Sequence, residues 1–292
     1  MKVCLVYNPV SGSGTFINYL DYIIHKFQEK NMQIVPYRTG NRENMERMIS
    51  QLNQEEYKAI LVAGGDGTLN QVVNCLMKHN KEIPVGIFPV GTANDYASYF
   101  NLPNSVEEMT EILLRENYTY SDVGFVNDRY FINILSLGFL IDVSHKTKLN
   151  LKNNLGVLAY YLKGIEELPK FKPIRIKAYN KDFCFSGEIY FMLVTNGKSA
   201  GGFKKIAPFA SVSDGLFEVL IFKKCPLPAF MQLAIEVLKG EHIHNPNVVY
   251  LQANELTVET DADVATDIDG EVGPSFPLTI KSIPQKLRII TG

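Results

Sequence analysis

Short apolar runs alternate with segments of helical spacing through roughly the first 120 residues, a pattern that predicts strand–helix repeats. Val3 to Tyr7 is an apolar run, followed by Phe16, Leu20, Ile23, Ile24 and Phe27 at helical spacing. Met32 to Arg38 predicts a second strand, followed by a helix carrying Met45, Met48, Ile49 and Leu52. The strand at 59–63 leads into Leu69, Val72, Val73, Leu76 and Met77, again one helical face. Pro84 to Phe88 is the fourth run, and Ser105 with Glu108 forms a capping box for a helix through Leu114. Strand and helix in strict alternation argue for a parallel sheet covered on both faces.

Beyond this point the texture changes. Tyr118 to Val126 and Tyr130 to Leu137 predict strands joined through Asn127-Asp128, and Leu140 to about Leu168 has helical character interrupted at Asn153–Gly156. Short strands then recur at 173–179, 183–195, 216–222, 248–251, 254–259, 277–281 and 287–291, and 227–239 alone reads as a helix. Strands separated by turn signals predict a mostly antiparallel second domain. The expectation is therefore an α/β N-terminal nucleotide-binding domain over 1–120 and a β-rich C-terminal domain over 121–286. The last strand, 287–292, is a candidate to return to the first.

Composition adds limits. The chain has 292 residues, 46% hydrophobic and 21% charged, which suits a globular protein. A formal charge of −2 gives nucleic acid no electrostatic footprint. No apolar stretch approaches the roughly 18–20 residues of a spanning helix, and Met1 to Val6 is too short for a signal peptide core. Cys4, Cys75, Cys184 and Cys225 lie far apart without CxxC spacing, as expected of free thiols in a reducing cytoplasm. His242 and His244 read as surface residues of a loop.

The chemistry sits in the turns. Ile60 to Ala63 ends in Gly64-Gly65-Asp66-Gly67-Thr68-Leu69-Asn70, three glycines within four positions ahead of a helix. Glycine admits close backbone approach, and a helix N-terminus offers N–H groups and a favourable dipole to an anion. Asp66 would repel phosphate unless a cation such as Mg²⁺ bridges the two, and its alternative role is a helix cap. Asn8-Pro9-Val10-Ser11-Gly12-Ser13-Gly14 ends the first strand but matches neither a dinucleotide fingerprint nor a Walker loop. Thr39 and Gly91-Thr92-Ala93-Asn94-Asp95 end two more strands, which places Asn8, Thr39, Asp66, Thr92, Asn94 and Asp95 on one rim of an open sheet. Gly197-Lys198-Ser199 imitates a Walker ending without its context and reads as a turn.

Two later acidic stretches stand out. Ser211-Val212-Ser213-Asp214-Gly215-Leu216 is either a structural Asp-Gly turn or a cation site with backbone carbonyls. Asp267, Asp269 and Glu271 stand at alternate positions, which predicts one shared side of an extended segment. They are either a solvated acidic loop or the source of a general base near bound magnesium.

These motifs together resemble the diacylglycerol kinase catalytic family, in particular its soluble bacterial lipid kinases. The resemblance rests on Asn8 to Gly12, Gly64 to Asn70, Gly91 to Asp95, Ser213 to Leu216 and Asp269-Gly270-Glu271, in the family's order from Met1 to the last strand. It implies an N-terminal nucleotide domain and a β-rich C-terminal domain with the active site in the cleft between them. It implies ATP against Asn8, Pro9, Val10, Ser11, Gly12, Thr39, Gly64, Gly65, Asp66, Gly67, Thr68, Leu69, Asn70, Thr92 and Asp95. Asp66 and Asp95 would join a water–magnesium network supported by Asp122. A structural Mg²⁺ would be held by Asp214 with Ser211 and Leu216. Asp269 and Glu271 would approach the acceptor hydroxyl, with Glu271 as the base. The implied reaction is transfer of the ATP γ-phosphate to a lipid hydroxyl, diacylglycerol first, by a cytoplasmic protein transiently at the membrane surface, and by resemblance a homodimer. The sequence departs from many relatives at Ser13, where they carry a basic residue, and Lys204 or Lys205 is the candidate replacement.

Two rivals remain at this level. An NAD kinase-like enzyme of the same superfamily would show Gly-x-Asn-x-Gly-x-Leu-Gly-Phe where Gly91-Thr92-Ala93-Asn94-Asp95 stands. A nucleotide- or lipid-binding protein without catalysis would have no need of Asp66, Asp95, Asp269 and Glu271 together. Candidate membrane contacts are Leu155 to Leu168, with Tyr160, Tyr161 and Leu162, and the Phe203-Lys204-Lys205 and Phe222-Lys223-Lys224 neighbourhoods. The helical stripe in the first of these also suits ordinary core packing.

Overall fold

A computed structural model describes residues 1–138, 173–200 and 203–292. The helical expectation over Leu140–Leu168, and with it the candidate membrane contact at Leu155–Leu168, lies outside the described residues. Among the described residues no helix is long and apolar enough to cross a membrane. The chain divides into two compact units, Met1–Val123 with Pro284–Gly292, and Gly124–Ile283.

The first unit alternates β1 (Lys2–Tyr7), α1 (Leu20–Glu29), β2 (Gln33–Arg38), α2 (Arg42–Gln51), β3 (Tyr57–Gly64), α3 (Asp66–Lys78), β4 (Val85–Pro89), α4 (Asp95–Tyr99) and α5 (Val106–Leu113). The strands pair in parallel in the order β2–β1–β3–β4, and Ile289 from the end of the chain pairs in parallel with Val85 of β4. Val3 to Val6, Ile60 to Ala63 and Val85 to Phe88 are buried, as a sheet covered on both faces requires. Asn41 caps α2 by accepting the Glu43 N–H at 2.8 Å, and Ser105 caps α5 by accepting the Glu108 N–H at 3.2 Å. The pairings Tyr7↔Ala63 and Gly64↔Pro89 bring the carboxyl ends of β1, β3 and β4 level. The turns that follow them therefore share one edge.

The second unit is built on antiparallel pairs. Its strands are the end of β5 (Tyr118–Val126), β6 (Arg129–Phe131), β7 (Ile134–Gly138), β8 (Ile174–Tyr179), β9 (Cys184–Thr195), β10 (Phe217–Lys223), β11 (Val248–Ala253), β12 (Glu255–Glu259), β13 (Thr266–Ile268), β14 (Glu271–Val272) and the start of β15 (Leu278–Ile290). The first half of β9 pairs with β8, and its second half pairs with β7 and β10. Alternate residues of β9 and β10 supply two cores. Met192, Val194, Phe217, Val219 and Ile221 face one, while Phe191, Leu193, Leu220 and Phe222 face the other with Phe230 and Leu233 of α6 (Leu227–Lys239). Each such side chain contributes about 1.5–3 kcal/mol through burial.

Three expectations are corrected. The run at 130–137 is two strands, because Ile132 and Asn133 break the ladder to bind a carboxylate. The predicted strands 277–281 and 287–291 are one strand of 13 residues, passing through a positive φ at Gln285. His242 is not a surface residue: it is fully buried, stacks on Phe222 with ring centroids 6.0 Å apart, and lies with Nε2 2.8 Å from the Ile206 carbonyl. Burial pushes its pKa below the ordinary imidazole value.

Candidate functional site

On the first unit the three level turns are packed backbone to backbone. Gly12 has φ +57°, and a Cβ there would sit 2.1 Å from the Val90 carbonyl oxygen. A Cβ on Gly91 would sit 2.3 Å from the Gly65 Cα. Glycine at these positions is therefore a steric requirement of the rim. The β1 turn is closed by Asn8, whose side chain accepts the Val10 N–H at 3.1 Å and whose carbonyl accepts the Ser11 N–H at 3.2 Å. Asn94, left-handed at φ 52°, closes the β4 turn. Its amide accepts the Gly91 N–H at 3.0 Å and donates to the Pro89 and Gly91 carbonyls at 2.8 and 3.0 Å.

Asp66 opens α3, yet its carboxylate serves another helix. It accepts the N–H groups of Asp95 and Tyr96, each at 3.3 Å, at the first turn of α4. The Asp66 carboxylate thus caps α4, and Asp66 and Asp95 are brought together across 29 positions of sequence. Gly65 to Thr68 are half-exposed, Thr92 is exposed, and nothing lies within 4 Å of a Cβ placed on Gly67. Thr39 follows β2, its N–H donating to the Tyr7 carbonyl at 2.8 Å. Leu69 and Asn70 are both buried, and the Asn70 side chain accepts from Asn74 at 3.0 Å within α3. Asp122 is fully buried and accepts the Gln285 N–H at 2.6 Å, bracing β15 where φ turns positive.

On the second unit the alternating acids do not share a face. Asp269 (φ 50°) and Gly270 (φ 86°) form the two-residue turn of a hairpin in which Ile268 pairs with Glu271 and Asp267 with Val272. The turn breaks the alternation. Asp267 is buried and accepts the Gly270 N–H at 3.0 Å. Asp269 accepts three backbone N–H groups, from Ile132 at 2.7 Å, Asn133 at 3.0 Å and Ile134 at 2.8 Å, using both oxygens. These charge-assisted bonds fix the Asp269 carboxylate against the segment Ile132–Ile134. Glu271 is the acid that remains partly exposed, its Oε2 3.0 Å from Arg129 Nη2.

Residues 2–126 match the diacylglycerol kinase catalytic domain, and residues 136–291 match the YegS C-terminal NAD kinase beta sandwich-like domain. A curated diacylglycerol kinase from Bacillus subtilis is 33% identical over 287 residues, covering 98% of this chain and 95% of the relative. The chain belongs to the diacylglycerol kinase catalytic family. One from Staphylococcus carnosus is 31% identical over 98% of this chain and 94% of its own length. A solved diacylglycerol kinase structure from Bacillus anthracis superposes with a TM-score of 0.81 at 22% identity, covering 100% of this chain and 97% of that one, which shows a shared fold. The family makes this chain an ATP-dependent lipid kinase.

Within that family frame the other expected positions separate. Asp214 is exposed, its Oδ1 accepts the Leu216 N–H at 3.0 Å, and Gly215 takes φ 77°, which is an Asp-Gly turn with Ser211 and Leu216 half-exposed at its ends. Ser13 has its hydroxyl 2.7 Å from that of Thr15. Lys205 packs its aliphatic stem by Gly240 in the second unit. Among the described residues no cluster of three or more acids, cysteines or histidines forms a ready-made metal cage. Two side chains that brace these segments escaped sequence reasoning. Tyr96 is buried and donates from its hydroxyl to Ser121 at 2.7 Å, anchoring α4, and Arg129 holds Glu271. The signal for Arg129 was its place after the Asn127-Asp128 turn, which carries no chemistry until the hairpin is known.

Proposed function

We propose that this lipid kinase transfers the γ-phosphoryl group of ATP to the hydroxyl of diacylglycerol, giving phosphatidic acid, at a membrane surface it visits peripherally. The observation that carries the nucleotide half is the backbone cradle of Gly12, Gly65 and Gly91, where added Cβ atoms would meet backbone or the facing turn. In this reading the β1 turn, the Gly65–Thr68 segment and exposed Thr92 hold the phosphates through backbone and hydroxyl groups. The N-terminus of α3 faces them with its positive dipole end. The relatives named diacylglycerol kinase support the choice of acceptor.

The donor set suits Mg²⁺. Asp66 and Asp95 offer hard oxygens, and Mg²⁺ is usually held by one or two carboxylates with waters and substrate phosphates rather than by a protein cage. When bound, the ion neutralises charge on the transferring group. Asp214, with the carbonyls of Ser211 and Leu216, is our candidate for a second, structural cation. The chain's own residues do the rest. Glu271 takes the acceptor hydroxyl proton as the new oxygen–phosphorus bond forms. The bond from phosphorus to the bridging oxygen breaks, and ADP leaves with its electron pair.

The test is ATP-dependent phosphate transfer to diacylglycerol in mixed micelles with Mg²⁺, with NAD run in parallel. Transfer to diacylglycerol that vanishes on chelation supports the proposal. Transfer to NAD alone overturns it.

A further inference from the structure

The hairpin β13–β14 and the segment Arg129–Ile134 are locked by two reciprocal braces. From the hairpin turn, the Asp269 carboxylate binds the N–H groups of Ile132, Asn133 and Ile134 at 2.7, 3.0 and 2.8 Å, while the Asp269 N–H donates to the Ile134 carbonyl at 2.9 Å. From β6, the Arg129 guanidinium reaches the other way. Its Nη2 lies 3.0 Å from Glu271 Oε2, and its Nη1 donates to the Val272 carbonyl. The acid of one segment holds the backbone of the other, and the base of that segment holds the acid and backbone of the first.

The geometry of the second brace is specific. A planar guanidinium spans the Glu271 side chain and the main-chain carbonyl of the next residue, which ties the carboxylate to its own strand. Both partners are about three-quarters covered, with side-chain exposures of 25% for Arg129 and 22% for Glu271. A long acidic side chain at the end of a two-residue strand otherwise samples several rotamers. A point charge would not enforce one, whereas a fork does.

We propose that Arg129 is a positioning residue for the phosphoryl transfer. It fixes the Glu271 carboxylate in the orientation needed to receive the acceptor proton, and Asp269 serves the same end through the backbone, by holding the segment that presents Arg129. This rests on the lipid-kinase reading and on Glu271 as its base. Arg129 itself takes no proton and touches no reacting atom.

A double-mutant cycle tests it. Arg129→Ala is expected to lower kcat about 100-fold, the usual cost of a misplaced group, with the KM for ATP within about twofold of wild type. Glu271→Gln is expected to lower kcat by about 10²–10⁴. If Arg129 acts through Glu271, adding Arg129→Ala to Glu271→Gln costs less than about threefold more. Arg129→Lys, which keeps charge but loses the fork, should recover only part of the loss. Full multiplication of the two losses, or full recovery with lysine, would overturn the proposal. A second cycle reads the pair without substrate: the losses in unfolding midpoint for Arg129→Ala and Glu271→Ala must be non-additive, and strict additivity would remove the pairing. A wild-type protein that phosphorylates no lipid alcohol removes instead the lipid-kinase reading, whatever the unfolding cycle gives.

Discussion

Gly67→Ala separates folding from nucleotide binding, because the two should move in opposite directions. Gly67 lies in the first turn of α3 with an ordinary helical backbone, and nothing stands within 4 Å of an added Cβ. Alanine can take that conformation without strain and has fewer unfolded states to lose. The fold should gain about 0.4–1 kcal/mol, read from the urea midpoint. The same methyl projects into space that the proposed reading assigns to phosphate. Overpacking a tight contact costs about 1–3 kcal/mol, which corresponds to a loss of roughly fivefold to 150-fold in ATP affinity by titration calorimetry with Mg²⁺. Gly91→Ala is the comparison. Its Cβ would lie 2.3 Å from the Gly65 Cα, against 3.4 Å for ordinary contact, so backbone must move and stability and binding should both fall. Unchanged ATP affinity in a stabilised Gly67→Ala protein would refute the placement of phosphate over this segment.

Further outcomes follow from the same geometry. Asp66→Ala removes the acceptor of two N–H groups on α4 and should cost about 0.5–2 kcal/mol in urea unfolding while abolishing turnover; retained turnover would take Asp66 out of the mechanism. Asp269→Ala leaves three N–H groups without their acceptor and should cost about 2–4 kcal/mol, with faster hydrogen exchange at Ile132, Asn133 and Ile134. Buried His242 resists protonation in the fold but not in the unfolded chain, so stability is complete above the ordinary value of 6.5 and declines as pH falls below it. Urea midpoints at pH 7.5 and 5.5 should show a decline that His242→Gln reduces. Burial pushes the Cys4 thiol up to about 12 and that of Cys75 up to about 11, while Cys184 is exposed. Alkylation at pH 8 should therefore label Cys184 first, by peptide mass analysis.

The parallel half of the fold was legible because its signals are local. Val3 to Val6 and Ile60 to Ala63 are continuous apolar runs, each followed by a helical stripe, and both periods survive folding unchanged. The rim was legible for the same reason: an open parallel sheet puts the residues after its strands on one edge, and glycine marks where backbones meet. What the pattern could not show was which side chains leave the surface. Leu69 and Asn70 continue the glycine motif in sequence, but the helix turns them inward within its first turn. His242 stands in a polar stretch, and only the packing of Phe222 and the Ile206 carbonyl against it reveals a buried ring.

The acidic run shows why spacing misled where turn chemistry would have served. Alternation places side chains on one face only while the chain stays extended. Asp269-Gly270 ends the extension, since both residues take positive φ, and Asp-Gly is a strong short-range signal for a two-residue hairpin turn. With the turn in place the three acids must diverge. Asp267 caps its own turn, Asp269 binds the backbone of Ile132 to Ile134, and Glu271 meets Arg129. The charge repulsion that an acidic face would suffer is thereby reduced, each carboxylate having its own donors. Glu271 alone of the three stays partly exposed, and it is held by an arginine 142 positions earlier in the chain. Loss of that arginine should therefore resemble loss of the base in kcat and leave ATP binding alone, a correspondence that no purely structural role for Arg129 would produce.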